Sequence, residues 1–296
     1  MRILFAFFVL LFPLHALAGL KVVATVPDLA AIAKEVGGDK VTVSVMALPT
    51  QDPHFVDARP NLALDLSRAD MLVLVGLDLE IGWLPTLLTG ARNPKVQVGG
   101  TGYVDASQFA TLLEVPTQKI DRAMGDIHPG GNPHYLLDPK NAVRVATGLG
   151  DRMAALDPAN AAAYKANAAA FATAVDKARA GWESSLGKLR GKDILTYHKS
   201  MVYLATWLGF SVPATIEPKP GIPPAPAHVV SVLQTVQQRS IKTILQEEYY
   251  PATTAELVAS KTGAKLVRLA GGADFAKGQT YKARMDALVK AIAEAS

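Results

Sequence analysis

The sequence predicts an α/β protein: two lobes with parallel sheets, joined by a helical connector. Three observations carry this. Short apolar, β-branched runs bounded by turn residues alternate with helical segments, the pattern of a parallel sheet. The alternation stops near residue 157 and restarts after residue 190. Between them lies Ala159 to Leu189, an Ala-rich stretch with no Pro and no Gly before Gly181.

In order, Leu20 to Val26 is apolar and β-branched and stops at Pro27-Asp28, as a buried parallel strand does. Asp28 to Val36 reads as a helix, with Asp28 its N-cap and Gly37-Gly38 its stop. Val41 to Met46 is a second strand, and the loop from Leu48 to Pro60 carries His54. Asn61 to Ala69 is helical, Met71 to Val75 a third strand, Gly82 to Leu88 a short helix and Val96 to Val98 a short strand. Gln108 to Gly131 is irregular. Asp138-Pro139 opens a helix with Pro at its first turn, and Asp157-Pro158 opens another. Ala159 to Leu189 is then rich enough in strong helix formers for one helix of roughly 30 residues, ~45 Å long at 1.5 Å per residue. That length is unusual inside one compact domain and suits a connector between lobes.

In the second half, Asp193 to Tyr197 is a strand, Met201 to Leu208 a helix, and Pro218 to Pro224 a Pro/Gly-rich loop. Ala227 to Arg239, Thr253 to Lys261 and Tyr281 to Ala295 are helices; Ile241 to Gln246 and Lys265 to Leu269 are strands. The expected organisation is 1–18 signal peptide, 19–157 N-terminal lobe, 158–190 connector and 191–296 C-terminal lobe.

Residues 1–18 combine a positive start, an apolar run shorter than the ~20 residues of a membrane span, and the small-residue pattern Ala16-Leu17-Ala18. The expected product is exported, and with no Cys at the cleavage point it carries no lipid anchor. The chain contains no cysteine at all, so disulfides and thiolate ligands are excluded. Half of its 296 residues are hydrophobic, enough for two ordinary cores. The formal charge of +4 is scattered, without the basic stripe that a nucleic-acid partner needs. Gly-x-Ser-x-Gly, P-loop and His-Glu-x-x-His signatures are missing. Trp83, Trp182 and Trp207 sit in helical segments and read as packing residues.

Of six histidines, His15 belongs to the leader. His54 follows Asp52-Pro53, His134 follows Gly131-Asn132-Pro133 in an echo of it, and His198 ends the strand-like run before it. A single loop histidine is more often simply hydrogen-bonded. Three at strand ends, where parallel sheets form their ligand crevice, point to one metal site, and neutral N/O donors suit Zn, Mn or Fe. A fourth donor is open: Glu247 or Glu248 after a C-lobe strand, Asp274 in a following loop, or water. His128 reads as a gate or a residue backing the site, and His228 as structural or solvent-facing.

Asp52-Pro53-His54, the run Gly131 to Pro139 and Tyr197-His198 resemble the metal-binding solute-binding proteins of bacterial zinc/manganese ABC transporters, over essentially the whole mature chain. The resemblance implies Rossmann-like lobes on a rigid backbone helix. It implies one Zn²⁺, with Mn²⁺ as the alternative, in the interlobe cleft as transported ligand, held by His54, His134 and His198. A histidine at the third position goes with zinc. The leading reading is a periplasmic protein that hands metal to a membrane permease, and the expected state is a monomer. The chain departs twice from this pattern. The stretch Thr117 to Gly131 has only Asp121, Asp126 and His128 where zinc members carry a His/Asp-rich loop. Leu269-Ala270-Gly271-Gly272 stands where a carboxylate ligand follows the last strand. Glu247 and Asp274 are the substitutes. The rival readings are a zinc hydrolase with Glu247 or Glu248 as base, and a carrier of an organic or chelated ligand.

Overall fold

A computed structural model describes residues 19–118 and 128–295; the expected leader, with His15, and Asp121 and Asp126 lie outside them. The apolar runs of the first half become β1 (Leu20–Ala24), β2 (Val41–Val45), β3 (Met71–Leu74) and β4 (Tyr103–Asp105), all parallel, in the order β2-β1-β3-β4. Helices α1 (Pro27–Gly37), α2 (Pro60–Ser67) and α3 (Leu84–Ala91) connect them, each with Pro in its first turn, where the missing N–H costs nothing. The expected strand at 96–98 is instead a 3₁₀ turn, Pro94–Val96, because Asn93 accepts the Lys95 N–H with its side chain; the fourth strand forms seven residues later.

The second lobe holds β5 (Leu195–Thr196), β6 (Thr243–Glu247) and β7 (Lys265–Leu269), parallel and in that order, with α6 (Val202–Leu208), α7 (Pro226–Gln238), α8 (Thr253–Thr262) and α9 (Tyr281–Ala293). β5 is shorter than its sequence suggests; isolated bridges, Asp193 to Ser211 and Thr196 to Thr215, extend the sheet on its outer side.

Between the lobes run α4 (Pro139–Leu156) and the long helix α5 (Ala161–Ser185) of 25 residues, flanked by 3₁₀ turns at Pro158–Asn160 and Gly187–Leu189. The near-30-residue expectation is thus met by one helix plus a tightened turn at either end. Only one stripe of α5 is buried, Tyr164, Ala168, Phe171, Val175 and Trp182, at the spacing of a single helical face. That stripe packs on α1 and α4 at one end and on α9 at the other, so α5 belongs to both lobes.

The cores are arranged in a way the pattern did not suggest. One cluster runs from Val22 and Leu29 through Leu149, Tyr164 and Phe171 to Leu245, Tyr281 and Ile292, so it spans both lobes without a break. Two smaller clusters cover the outer faces of the two sheets. Polar contacts repeat the link. Asp28, expected to cap α1, instead accepts the Ala273 N–H across the cleft at 2.8 Å and lies 3.6 Å from the Arg284 guanidinium; Val26 occupies the cap position without a side-chain bond. Glu35 accepts the Tyr281 N–H at 2.8 Å, and the Tyr281 hydroxyl donates to the Leu136 carbonyl at 2.7 Å. Burial raises the Glu35 carboxyl above its ordinary range. A continuous core and bonds of this kind oppose wide hinge opening, because opening would expose apolar surface and strand buried polar groups.

Candidate metal centre

Parallel sheets present their C-terminal strand ends to one crevice. Here those ends face each other across the lobes. His54 comes from the loop after β2, His134 from the segment leading into α4, and His198 from two residues past β5. Their ring nitrogens converge: one donor atom from each lies within 4.8 Å of the other two. Ring centres are 5.5 Å apart for His54 and His134, 5.3 Å for His54 and His198, and 5.2 Å for His134 and His198.

The local sequence explains how two of these rings are aimed. Asp52 Oδ1 accepts both the His54 backbone N–H at 3.0 Å and His54 Nδ1 at 2.7 Å. Asn132 Oδ1 does the same for His134, at 3.0 Å each. In both, an Asx residue, a proline and a histidine form a short turn in which the Asx oxygen grips backbone and ring together. His198 has no such turn; Glu217, nineteen residues on, holds its Nδ1 at 2.7 Å. With Nδ1 donating, the lone pair sits on Nε2, and the Nε2 atoms of His54 and His134 are buried without a hydrogen-bond partner. Buried polar atoms are rarely left so, and a bare imidazole nitrogen is a ligand atom.

Asn132 also ties the lobes at the site itself. Its Nδ2 donates to the Lys199 carbonyl, next to His198, at 2.9 Å, and its own carbonyl accepts the Tyr203 hydroxyl at 2.7 Å. The preceding Gly131 has φ 119°, a conformation that side chains resist. Trp83 donates its indole N–H to the Pro53 carbonyl at 2.9 Å, so this packing residue also pins the His54 turn.

Electrostatics favour neutral rings at His134 and His128 and a charged carboxylate at Asp52. Burial, reinforced by the neighbouring His198, His54 and His128, holds His134 well below the ordinary histidine range. Burial and the adjacent His54 bring His128 down to about 4. Burial of Asp52 works to raise it, but the side-chain and backbone bonds from His54 and the nearby charge of the rings together outweigh this and leave the carboxyl below its usual value.

Residues 22–295 match the family model for ZnuA, described as the zinc-uptake complex component A, periplasmic. The chain belongs to the ZnuA family. It is 23% identical over 249 residues to the zinc-binding lipoprotein AdcA of Streptococcus pneumoniae (strain ATCC BAA-255 / R6), covering 83% of this chain and 48% of that protein, so it spans about half the length of that relative. It is 24% identical over 233 residues to the manganese ABC transporter substrate-binding lipoprotein PsaA of Streptococcus pneumoniae, covering 77% of this chain and 72% of the relative. The crystal structure of ZnuA superposes with a TM-score of 0.77 at 25% identity over 94% of this chain and 99% of that one.

Against the ZnuA-family pattern, the fourth position stands out. A Cβ at Gly271 would run into the Tyr249 ring and the Pro49 carbonyl, so no carboxylate-bearing residue fits there without a shift. Asp274 is not brought to the histidines: it accepts the Lys277 N–H at the start of the 3₁₀ turn Phe275–Lys277 and ion-pairs with Lys277 Nζ at 2.8 Å, and that pairing holds its carboxyl below the usual range. Turn capping thus claims the side chain. Glu247, the last residue of β6, is buried, its Oε2 has no partner, and burial raises its carboxyl. It lines a recess of about 80 Å³ together with His134, Asp28 and Arg284. Glu248 lies outside the triad's convergent atoms and contributes its backbone carbonyl to Arg268. A second cavity, of about 540 Å³, is lined by His134, His198 and His128. His228 is held by the Thr215 carbonyl at 3.1 Å, as expected of a structural residue.

Sequence reasoning missed Glu217. No local pattern marks it, since it meets His198 only because residues 211–217 run alongside β5. Replacing it with Gln keeps shape but removes the charge behind His198, and is expected to weaken zinc binding ~10–100-fold with the fold intact. Titration of Glu217→Gln against the parent protein checks this; an unchanged Kd would mean that the carboxylate does not tune the ring.

Proposed function

We propose that this protein is a periplasmic solute-binding protein that captures a divalent transition metal between its lobes and hands it to the membrane permease of an ABC transporter. The cargo is Zn²⁺ first and Mn²⁺ second, and His54, His134 and His198 hold it. One observation carries the reading: three imidazoles from both lobes converge with their Nδ1 atoms already bonded to oxygen. Such rings are already oriented, with Nε2 free for a cation, and imidazole favours zinc over manganese. Asp52 and Glu217, one bond behind the rings, offset the charge of the ion. Membership of the ZnuA family supports a carrier rather than an enzyme. The carrier acts as a monomer. The division at 19–157 and 191–296, with 158–190 as backbone, goes with this reading. No helix among the described residues is long and apolar enough to cross a membrane.

Calorimetric titration of the metal-stripped protein with zinc and with manganese tests it. The expected result is one site per chain, with zinc the tighter ligand. Absence of binding by both metals would overturn the proposal, and a tighter manganese site would reverse the choice of cargo.

A further inference from the structure

His128 stands beside the triad, and no short motif precedes it. Its ring is nevertheless fixed in the same way as the others. Nδ1 lies 2.8 Å from the Leu77 carbonyl oxygen and donates to it, which leaves the lone pair on Nε2. That Nε2 is buried and has no hydrogen-bond partner. The ring centre is 5.4 Å from that of His54, a spacing like those within the triad.

The carbonyl that holds it is itself a built feature. Gly76, Leu77 and Asp78 adopt φ values of 79°, 56° and 63°. Two successive non-glycine residues in the left-handed region are strained and persist only where the surroundings enforce them. Glu80 anchors the start of this turn. Its buried carboxyl group, pushed up to about 7 by burial, accepts the Val75 N–H at 2.7 Å, the Gly76 N–H at 3.1 Å and the Thr25 hydroxyl at 2.7 Å. The outcome of this strained turn is a carbonyl oxygen aimed at the His128 ring.

We propose that His128 supplies the fourth donor of the metal site, closing it with four imidazole nitrogens in place of a carboxylate. The proposal rests on the metal-binding reading above and adds a specificity-determining residue to it. A four-coordinate zinc with bonds of ~2.0–2.1 Å sets its donors about 3.4 Å apart. The three triad donors lie within 4.8 Å of one another and His128 stands just outside that group, so on this proposal the metal draws the triad together and takes up His128 Nε2 from beside His54. His128 lines the cavity that His134 and His198 also line, whereas the rival donor Glu247 lines a separate recess that His134 alone of the triad shares. A site without an oxygen donor discriminates against manganese, which prefers carboxylate and water.

The test uses the full protein, stripped of metal and reloaded with zinc. Its crystal structure is expected to show His128 Nε2 at about 2.1 Å from the ion. His128→Ala is expected to lose at least tenfold in zinc affinity and to narrow the gap between zinc and manganese, while Glu247→Gln stays within about threefold of the parent. Circular dichroism melting verifies that both variants fold. Glu247 or water in the fourth position, with His128→Ala binding as the parent does, overturns the proposal and leaves the triad standing. Failure of the parent protein to bind zinc overturns the underlying reading instead.

Discussion

Replacing His134 with alanine will weaken zinc binding by about 100-fold or more. Four-ligand structural zinc sites hold their ion by roughly 10–16 kcal/mol, which is about 3 kcal/mol per ligand, or two decades in Kd. His134 is central: its ring is close to His198 and His54, and its Nε2 is enclosed without a partner. The substitution leaves the scaffold in place, because Asn132 still bonds the Lys199 carbonyl and Tyr203 still bonds Asn132. Zinc titration of His134→Ala, with circular dichroism as the control for folding, measures the effect. A Kd within threefold of the parent would show that the convergence of the rings is not a metal site.

The metal-free protein will lose stability as pH falls from about 6.5 toward 4. His128 is depressed to about 4 and His134 lies well below 6.5, so the unfolded chain binds more protons than the folded one in that window. Their contribution is complete above pH 6.5 and disappears as pH falls through the folded values. For His128 alone the displacement is worth about 3 kcal/mol at full strength, reduced to about 2 kcal/mol by its partial exposure. Thermal melts of stripped protein between pH 7 and 4.5 will show the decline, and it will be shallower in His134→Ala, which lacks one of the two groups. Saturating zinc will oppose it, adding about 4 kcal/mol at a thousandfold excess over Kd. Equal slopes in parent and variant would place the acid sensitivity elsewhere. The depressed rings also move metal release to lower pH than the value near 6 expected from unperturbed histidines, because protons compete less well for Nε2.

Much of this site was legible beforehand. Asx-Pro-His occurs twice because a short oxygen-bearing side chain two residues before a histidine can reach both its backbone and its ring. That is a local interaction, so His54 and His134 could be found together with the residues that aim them. His198 was legible as the end of a strand-like run. The parallel sheets followed from alternating apolar runs, and the long helix from its composition. The strand expected at 96–98 failed because a single Asn side chain, bonding to its own neighbourhood, competes with sheet formation over so short a run.

The sequence by itself determined the fold class, the placing of three histidines at the edges of regular elements and the local Asx turns that hold two of them, since all of these rest on contacts within a few residues or on periodicity. The tertiary structure decided everything that depends on which distant groups meet. It gave Glu217 to His198, the Leu77 carbonyl to His128 and Asp28 to the Ala273 N–H, 245 residues away. It also took Asp274 out of contention by capping a turn with it, and closed position 271 with the Tyr249 ring. Hydrogen-bond partners at long range are selected by packing of the shared core, and a one-dimensional pattern carries no record of that selection.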